Sequence, residues 1–193
     1  MAYFPAFLKF DDKTILIVGG GNIALEKLEH LLNFSSNITL ISKNFSEKIE
    51  DLIDKHSLKI FQKVYEKGDA KGYDIVIVAV DDFGLQEDIY FETREYKILC
   101  NCVDLQQYCD FIFPSYIKRG DLTVAISTSG SSPAFAKNFK TFLSNLIPEG
   151  VEDFLKELKE LRSTIPKGKE RMRFFDNKAK DYINSWEKKS GQK

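Results

Sequence analysis

Three glycines separate an apolar run from a helical pattern in "ILIVGGGNIALEKLEHLL", residues 15–32, and theirs is the first spacing in the chain that suggests chemistry. It reads Gly19-x-Gly21-x-x-Ala24. A first glycine permits a tight turn, a second lets backbone approach a pyrophosphate, and a small third residue lets helix and strand pack closely. The N–H groups at the helix start, with the positive end of the helix dipole, then face the phosphates. Dinucleotide binding is the chemistry this implies. The alternative is a turn that only joins strand to helix.

An NAD site usually carries an acid at the end of its second strand to grip the ribose hydroxyls. Here that position is filled by Ser42, Lys43 and Asn44. Ser42 and Asn44 suit a ribose, and Lys43 equally suits a 2′-phosphate, so these residues leave NAD against NADP open. The fourth apolar run ends "VIVAVDD", placing Ala79, Val80, Asp81 and Asp82 at the carboxyl edge of a sheet, where open α/β folds bind ligands. Asp82 reads either as a ligand contact or as the cap of the next helix.

A second set of candidates follows. In "ILCNCVD" a two-residue period puts Cys100, Cys102 and Asp104 on one side and Asn101 and Val103 on the other. A half-buried carboxylate beside a ligand is a natural general base, which is one reading of Asp104; the other is the start of a turn. Next, "ISTSGSSPAFAKNF" gathers Ser127, Thr128, Ser129, Ser131 and Ser132 around Gly130 at a helix start, with Lys118 and Arg119 before it and Lys137 and Lys140 after. Such a segment suits a substrate with several carboxylates. N-capping by Ser131 or Ser132 is the simpler alternative.

These residues need a scaffold. Apolar runs at 14–18, 38–42, 58–62, 74–80 and 97–103 read as strands, most nearly continuous in apolar character, as parallel strands covered on both faces are. Helical patterns at 22–33, 46–55 and 84–95 alternate with them, so the expected class is α/β, a Rossmann-like doubly wound parallel sheet. Two short runs around Gly120-Asp121 predict an antiparallel pair, followed by helices over 131–147 and 151–165 and one or two more over 169–189. The expected organisation is a dinucleotide-binding domain over 1–110, a small α+β module over 111–147, to which the resemblance given below assigns dimerisation and substrate binding, and a helical region over 148–193.

Composition narrows the classes. The chain has 28 Lys+Arg and 29 Asp+Glu, and residues 151–193 carry 12 basic and 8 acidic residues, with no dense basic block interleaved with aromatics. Nucleic acid is therefore not an expected partner. Three cysteines without an export signal read as reduced thiols, and with two remote histidines they make no metal site. The N-terminus has no basic start followed by an apolar segment, and no window approaches the roughly 20 apolar residues of a membrane span. A cytoplasmic protein without membrane partners is expected.

The ordered segments "YFPAFLKFDDKTILIVGGGNIALEK", "VIVAVDD" and "CNCVDLQQYCDFIFPSYIKRGDLTVAISTSGSSPAFAK" closely resemble the precorrin-2 dehydrogenase module of siroheme synthases, over roughly residues 3–147. The run "DFIFPSYIKRGDLTVAISTSGSSPA" is far more specific than a glycine pattern. The resemblance implies NAD+-dependent oxidation of precorrin-2 to sirohydrochlorin, a ring bearing eight carboxylates, and in many members insertion of Fe2+ as a second substrate to give siroheme. A missing ribose acid is a family trait, which favours NAD. By position, Asn22, Ile23, Lys43 and Asn44 line the NAD site with Gly19, Gly21, Ala24, Ser42, Ala79, Val80 and Asp82. Asp104 matches the aspartate implicated in both reactions. Ser127, Thr128, Ser129, Gly130, Ser132 and Lys137 fall in the segment expected to hold substrate carboxylates, Thr128 where relatives often have serine. A homodimer is implied, and no methyltransferase segment follows, so precorrin-2 is expected from another protein. The residues leave open whether chelation accompanies oxidation. The rivals are an oxidoreductase for a different polycarboxylate and a non-catalytic carrier or sensor of tetrapyrrole or dinucleotide.

Overall fold

Short runs of isoleucine, valine and leucine lack the polar alternation of a half-exposed strand and must be covered on both faces. Ile15–Val18 (β1), Ile38–Ser42 (β2), Lys59–Gln62 (β3), Ile75–Val78 (β4) and Leu99–Cys102 (β5) form one parallel sheet in the order β3-β2-β1-β4-β5. The computed structural model describes residues 3–190, which fall into two compact units, Tyr3–Ile112 and the chain from Phe113 onward. In the first unit every residue of β1 and β4 is buried. The outer strand β3 is exposed at all four positions, so the expected two-sided cover does not reach it, whereas β5 at the opposite edge buries Cys100, Asn101 and Cys102.

Helices Asn22–Leu31 (α1), Glu47–His56 (α2) and Phe83–Tyr96 (α3) alternate with the strands. Helix α1 buries Ala24, Leu28 and Leu31, the i, i+4, i+7 stripe that holds it on the sheet. The core under α3 joins Leu16, Val18, Val76, Val78, Ile89, Cys100 and Cys102. All three cysteines are free thiols; Cys100 Sγ lies 3.7 Å from Cys102 Sγ, and that contact with burial pushes the Cys102 thiol up, leaving it protonated and inert.

In the second unit Ser115–Arg119 (β6) and Leu122–Ile126 (β7) form the expected antiparallel pair around Gly120, whose φ is 55°. Helices Pro133–Leu146 (α4), Val151–Thr164 (α5) and Lys169–Ser190 (α6) follow, the last one continuous. Their core unites Ile117, Ile147 and Val151 with Leu122, Leu143, Leu155 and Tyr182, drawing on both sides of the 147/148 boundary. No described helix is long and apolar enough to cross a membrane.

The amino edge of the large sheet is fastened by Asp74. Its carboxylate accepts from Lys13 Nζ (2.8 Å), Thr14 N (2.9 Å) and Thr14 Oγ1 (3.0 Å), joining the starts of β1 and β4. Those donors, Lys13 first, hold the Asp74 carboxyl down at about 2, against an ordinary 3.8. A carboxyl lower in the folded than in the unfolded state stabilises the fold above the unfolded value, and the contribution fades as pH falls from about 4 to about 2. The side chain is 36% exposed, which limits the effect through solvent screening. Asp74→Asn is expected to cost about 1 kcal/mol at pH 7, a Tm drop of about 2–4 °C, with the gap between variant and wild type closing toward pH 2 in thermal melts.

Candidate dinucleotide-binding site

From β1 the chain builds outward to β2 and β3, then returns past β1 to β4. The loops leaving β1 and β4 therefore diverge, opening a crevice at their carboxyl ends. Gly19 leaves β1 at φ 130°, and a Cβ there would lie 2.2 Å from Ala79 O at the end of β4. Only glycine fits both the dihedral and the space. At Gly20 a Cβ would lie 2.0 Å from Asn44 O and 2.7 Å from Ser42 Oγ, so the loop after β2 presses on the glycine loop from the other side. Ser46 N donates to Gly20 O (2.9 Å) and fixes that contact.

Gly21 differs from both. It is the N-cap of α1 at φ −96°, no atom lies within 4 Å of where its Cβ would stand, no side chain caps the helix, and the first turn has no acid. Helix α2, in contrast, has Glu47 and Glu50 in its first turn, while Asp82 caps α3 and Ser132 caps α4. Neither strain nor packing inside the chain requires glycine at 21. A phosphate group approaching the uncapped N–H groups of α1 does require it, and on that ground the residues present fit a dinucleotide pyrophosphate. Two buried side-chain oxygens without partners among the described residues belong to residues bonded to the flanking loops: Ser46 Oγ beside Gly20, and Gln86 Oε1 beside Val80.

The other expected residues take these places. Asn22, Ile23 and Ala24 form the first turn of α1; Ile23 is 40% exposed and Ala24 is buried against the sheet. Ser42 Oγ donates to Asn44 O (2.7 Å), so its proton serves the loop. Lys43 and Asn44 are exposed, and Gln62 Nε2 donates to Lys43 O (3.3 Å). Ala79 N donates to Val18 O (2.8 Å), and Val80 is half-buried. The Asp82 carboxylate accepts from Leu85 N (3.0 Å), which is the capping alternative realised. Gln86 was not foreseen. Its Nε2 donates to Val80 O (2.8 Å), setting the loop after β4, and its backbone carbonyl accepts from Cys102 Sγ (3.4 Å). The signal for it was a polar residue on the buried 86/89/93 stripe of α3.

Strand β5 ends at Cys102, and Asp104 sits in a turn at φ 68°, so the two-residue period stops short of it. The half-burial expected of Asp104 is absent: the side chain is exposed. Its loop is nevertheless tied down. Asp110 accepts from Cys100 N (2.8 Å) and Arg94 Nη1 (2.9 Å), and Asn101 Nδ2 donates to Phe111 O (2.8 Å), so residues 103–111 fold back against β5. Asp104 is the second residue past the end of β5, at the same carboxyl edge of the parallel sheet as Gly19.

In the second unit residues 127–132 form a turn before α4. Ser127 Oγ accepts from Ser129 N (3.0 Å), Thr128 Oγ1 from Ser132 N (3.1 Å), and Ser132 Oγ from Phe135 N (3.1 Å). Ser129 and Gly130 take positive φ, 51° and 84°. Each of the three hydroxyl oxygens is engaged as an acceptor, and its proton is left to donate outward. Lys137 is exposed one turn into α4.

A family model described as "Putative NAD(P)-binding" matches residues 6–115, more than half of the chain. The chain belongs to that NAD(P)-binding family. A second model, "Sirohaem biosynthesis protein central", matches residues 119–142. Siroheme synthase of Methylococcus capsulatus is 35% identical over 180 residues, covering 91% of this chain and 38% of the relative. Siroheme synthase of Pseudoalteromonas translucida is 31% identical over 175 residues, covering 91% and 36%. The chain thus spans well under half the length of these relatives. The solved structure of "SirC, precorrin-2 dehydrogenase" superposes with a TM-score of 0.76 over 96% of this chain and all of its own, at 23% identity, which establishes the shared fold.

The two glycines separate stability from binding. Gly19→Ala, forced against Ala79 O, is expected to lower Tm and abolish dinucleotide binding together. Gly21→Ala, which has room for its Cβ but makes a poorer N-cap than glycine, is expected to lower Tm far less than Gly19→Ala does, while weakening dinucleotide binding about tenfold or more. Thermal melts and NADH fluorescence titration of the two variants check this.

Proposed function

We propose that this NAD(P)-binding protein oxidises precorrin-2 to sirohydrochlorin with NAD+ in siroheme biosynthesis. One observation carries the reading: a chain with an uncapped glycine turn at the sheet switch point also contains the sirohaem-type segment at 119–142. The relatives named siroheme synthase and the fold shared with SirC support it. A bound NAD+ supplies the two-electron acceptor. Gly19, Gly21 and the first turn of α1 hold its pyrophosphate, Lys43 and Asn44 border the adenosine side, and Ala79 and Val80 wall the other.

The oxidation removes a proton as well as a hydride; the hydride goes to NAD+, and the Asp104 carboxylate takes the proton. Arg94 and Asp110 fix the base of its loop, so the carboxylate is presented at a constant position although its side chain is exposed. A macrocycle lying over it displaces water and supplies the desolvation that the chain does not. Ser127, Thr128, Ser129, Gly130, Ser132 and Lys137 meet the ring carboxylates with hydroxyl protons, backbone N–H groups and a cation. Fe2+ enters, where chelation follows, as a second substrate, with Asp104 accepting pyrrole N–H protons. The setting is the cytoplasm, and the assembly is a homodimer. Supporting the last, α4 exposes a continuous aromatic stripe, with Phe135 59%, Phe139 38% and Phe142 60% exposed and neighbouring rings 5.6 and 6.2 Å apart.

Purified protein mixed anaerobically with precorrin-2 and NAD+ is expected to form sirohydrochlorin in the visible spectrum above the enzyme-free rate, and Fe2+ added to the same cuvette reads chelation. Asp104→Asn is expected to lower kcat about 100-fold or more with NADH affinity retained; full activity in that variant overturns the role of Asp104. Phe142→Glu is expected to shift the light-scattering mass from dimer to monomer.

A further inference from the structure

Asp104 is the third residue of the turn 102–105, which Leu105 N closes by donating to Cys102 O (3.3 Å), and it holds φ 68°. A residue other than glycine keeps that left-handed conformation only where its surroundings impose it. One face of α3 does the imposing. Glu87, Tyr90, Phe91 and Arg94 follow the i, i+3, i+4, i+7 spacing and share one side of the helix. At one end of this face Arg94 Nη1 donates to Asp110 (2.9 Å), and its guanidinium lies over the Tyr90 ring, 4.6 Å from the centroid. In the middle, Tyr90 and Phe91 meet the Tyr108 ring with centroids 5.0 and 6.0 Å apart. At the other end the Glu87 carboxylate accepts from Tyr108 Oη. That hydrogen bond, before any other cause, pushes the phenol up, so the phenol keeps the proton it donates. Tyr108 N in turn donates to Leu105 O (2.9 Å), so the path from Glu87 to Asp104 runs through one phenol and two consecutive backbone turns. Cys109 Sγ also points at Cys102 O (3.1 Å) and Leu105 O (3.4 Å), but a thiol is a weak donor.

We propose that Glu87 and Tyr108 are positioning residues for Asp104: their hydrogen bond holds the 3₁₀ turn Gln106–Tyr108 on α3 and thereby sets the direction in which the Asp104 carboxylate points. This rests on the reading of Asp104 as the base of the oxidation. Neither residue touches the reacting atoms; both act by narrowing the range of positions open to a base whose own side chain is exposed.

Steady-state kinetics of the intact protein with precorrin-2 and NAD+, paired with amide hydrogen exchange over residues 103–109, tests this. Tyr108→Phe keeps the ring contacts and removes the phenol. It is expected to lower kcat about fivefold to tenfold, with KM for precorrin-2, NADH Kd and Tm unchanged, and to speed exchange in that segment. Glu87→Ala is expected to do the same, and Glu87→Gln, whose amide carbonyl still accepts, to keep kcat within about twofold of wild type. In an Asp104→Asn background Tyr108→Phe is expected to leave the residual rate unchanged, because its effect passes through that carboxylate. Equal loss from Tyr108→Phe with and without the Asp104 carboxylate, or an unchanged kcat in Tyr108→Phe, overturns the proposal while Asp104 stands as the base. Full activity in Asp104→Asn, or no turnover in the wild type, overturns the reading of Asp104 and this proposal together.

Discussion

A single missing side chain sets the geometry of this protein. Because β1 and β4 are hydrogen-bonded neighbours whose loops diverge, the backbone leaving β1 passes so near Ala79 O that a Cβ at Gly19 would stand 2.2 Å from it. That approach fixes where the chain turns, the turn fixes where α1 begins, and the start of α1 is where unpaired N–H groups collect. Gly20 repeats the constraint on the other flank, against the loop after β2. The crevice is therefore a product of backbone contact between three strand ends, with Gly21 as the one position of the three where the chain itself leaves room.

The two edges of the sheet divide the work. At the amino edge Asp74 draws three donors from Lys13 and Thr14, closing off polar groups and pinning β1 to β4. At the carboxyl edge α1 is left uncapped while its neighbours α2 and α3 have acids at their N-termini. An edge whose hydrogen bonds are internally satisfied contributes stability; one that keeps donors unspent can bind an anion.

Polar contacts within each unit hold loops in place. Gln86 sets the carbonyl of Val80, Asp110 bridges Arg94 and Cys100 N behind the Asp104 turn, and Thr128 and Ser132 brace the turn before α4. Buried Glu92 does the same further along α3, accepting from Tyr65 Oη (3.0 Å) and Gly68 N (2.8 Å), and the Tyr65 phenol is pushed up by burial and by that carboxylate. Fixed loops let exposed groups such as Asp104 and Lys43 stay available without losing their position.

Much of this was legible in the residues. Continuous apolar runs named the strands of a parallel sheet, the glycine spacing named the turn, and the Gly120-Asp121 signal named the hairpin, because local periodicity and backbone sterics are properties of short segments. Tertiary contact decided the rest. Nothing local says that β3 lies at an edge and is exposed, which of its two readings Asp82 takes, that β5 stops before Asp104, or that Gln86 reaches Val80. Those outcomes depend on which strand ends meet and which backbone groups are left unpaired when they do, and only the folded chain brings those partners together.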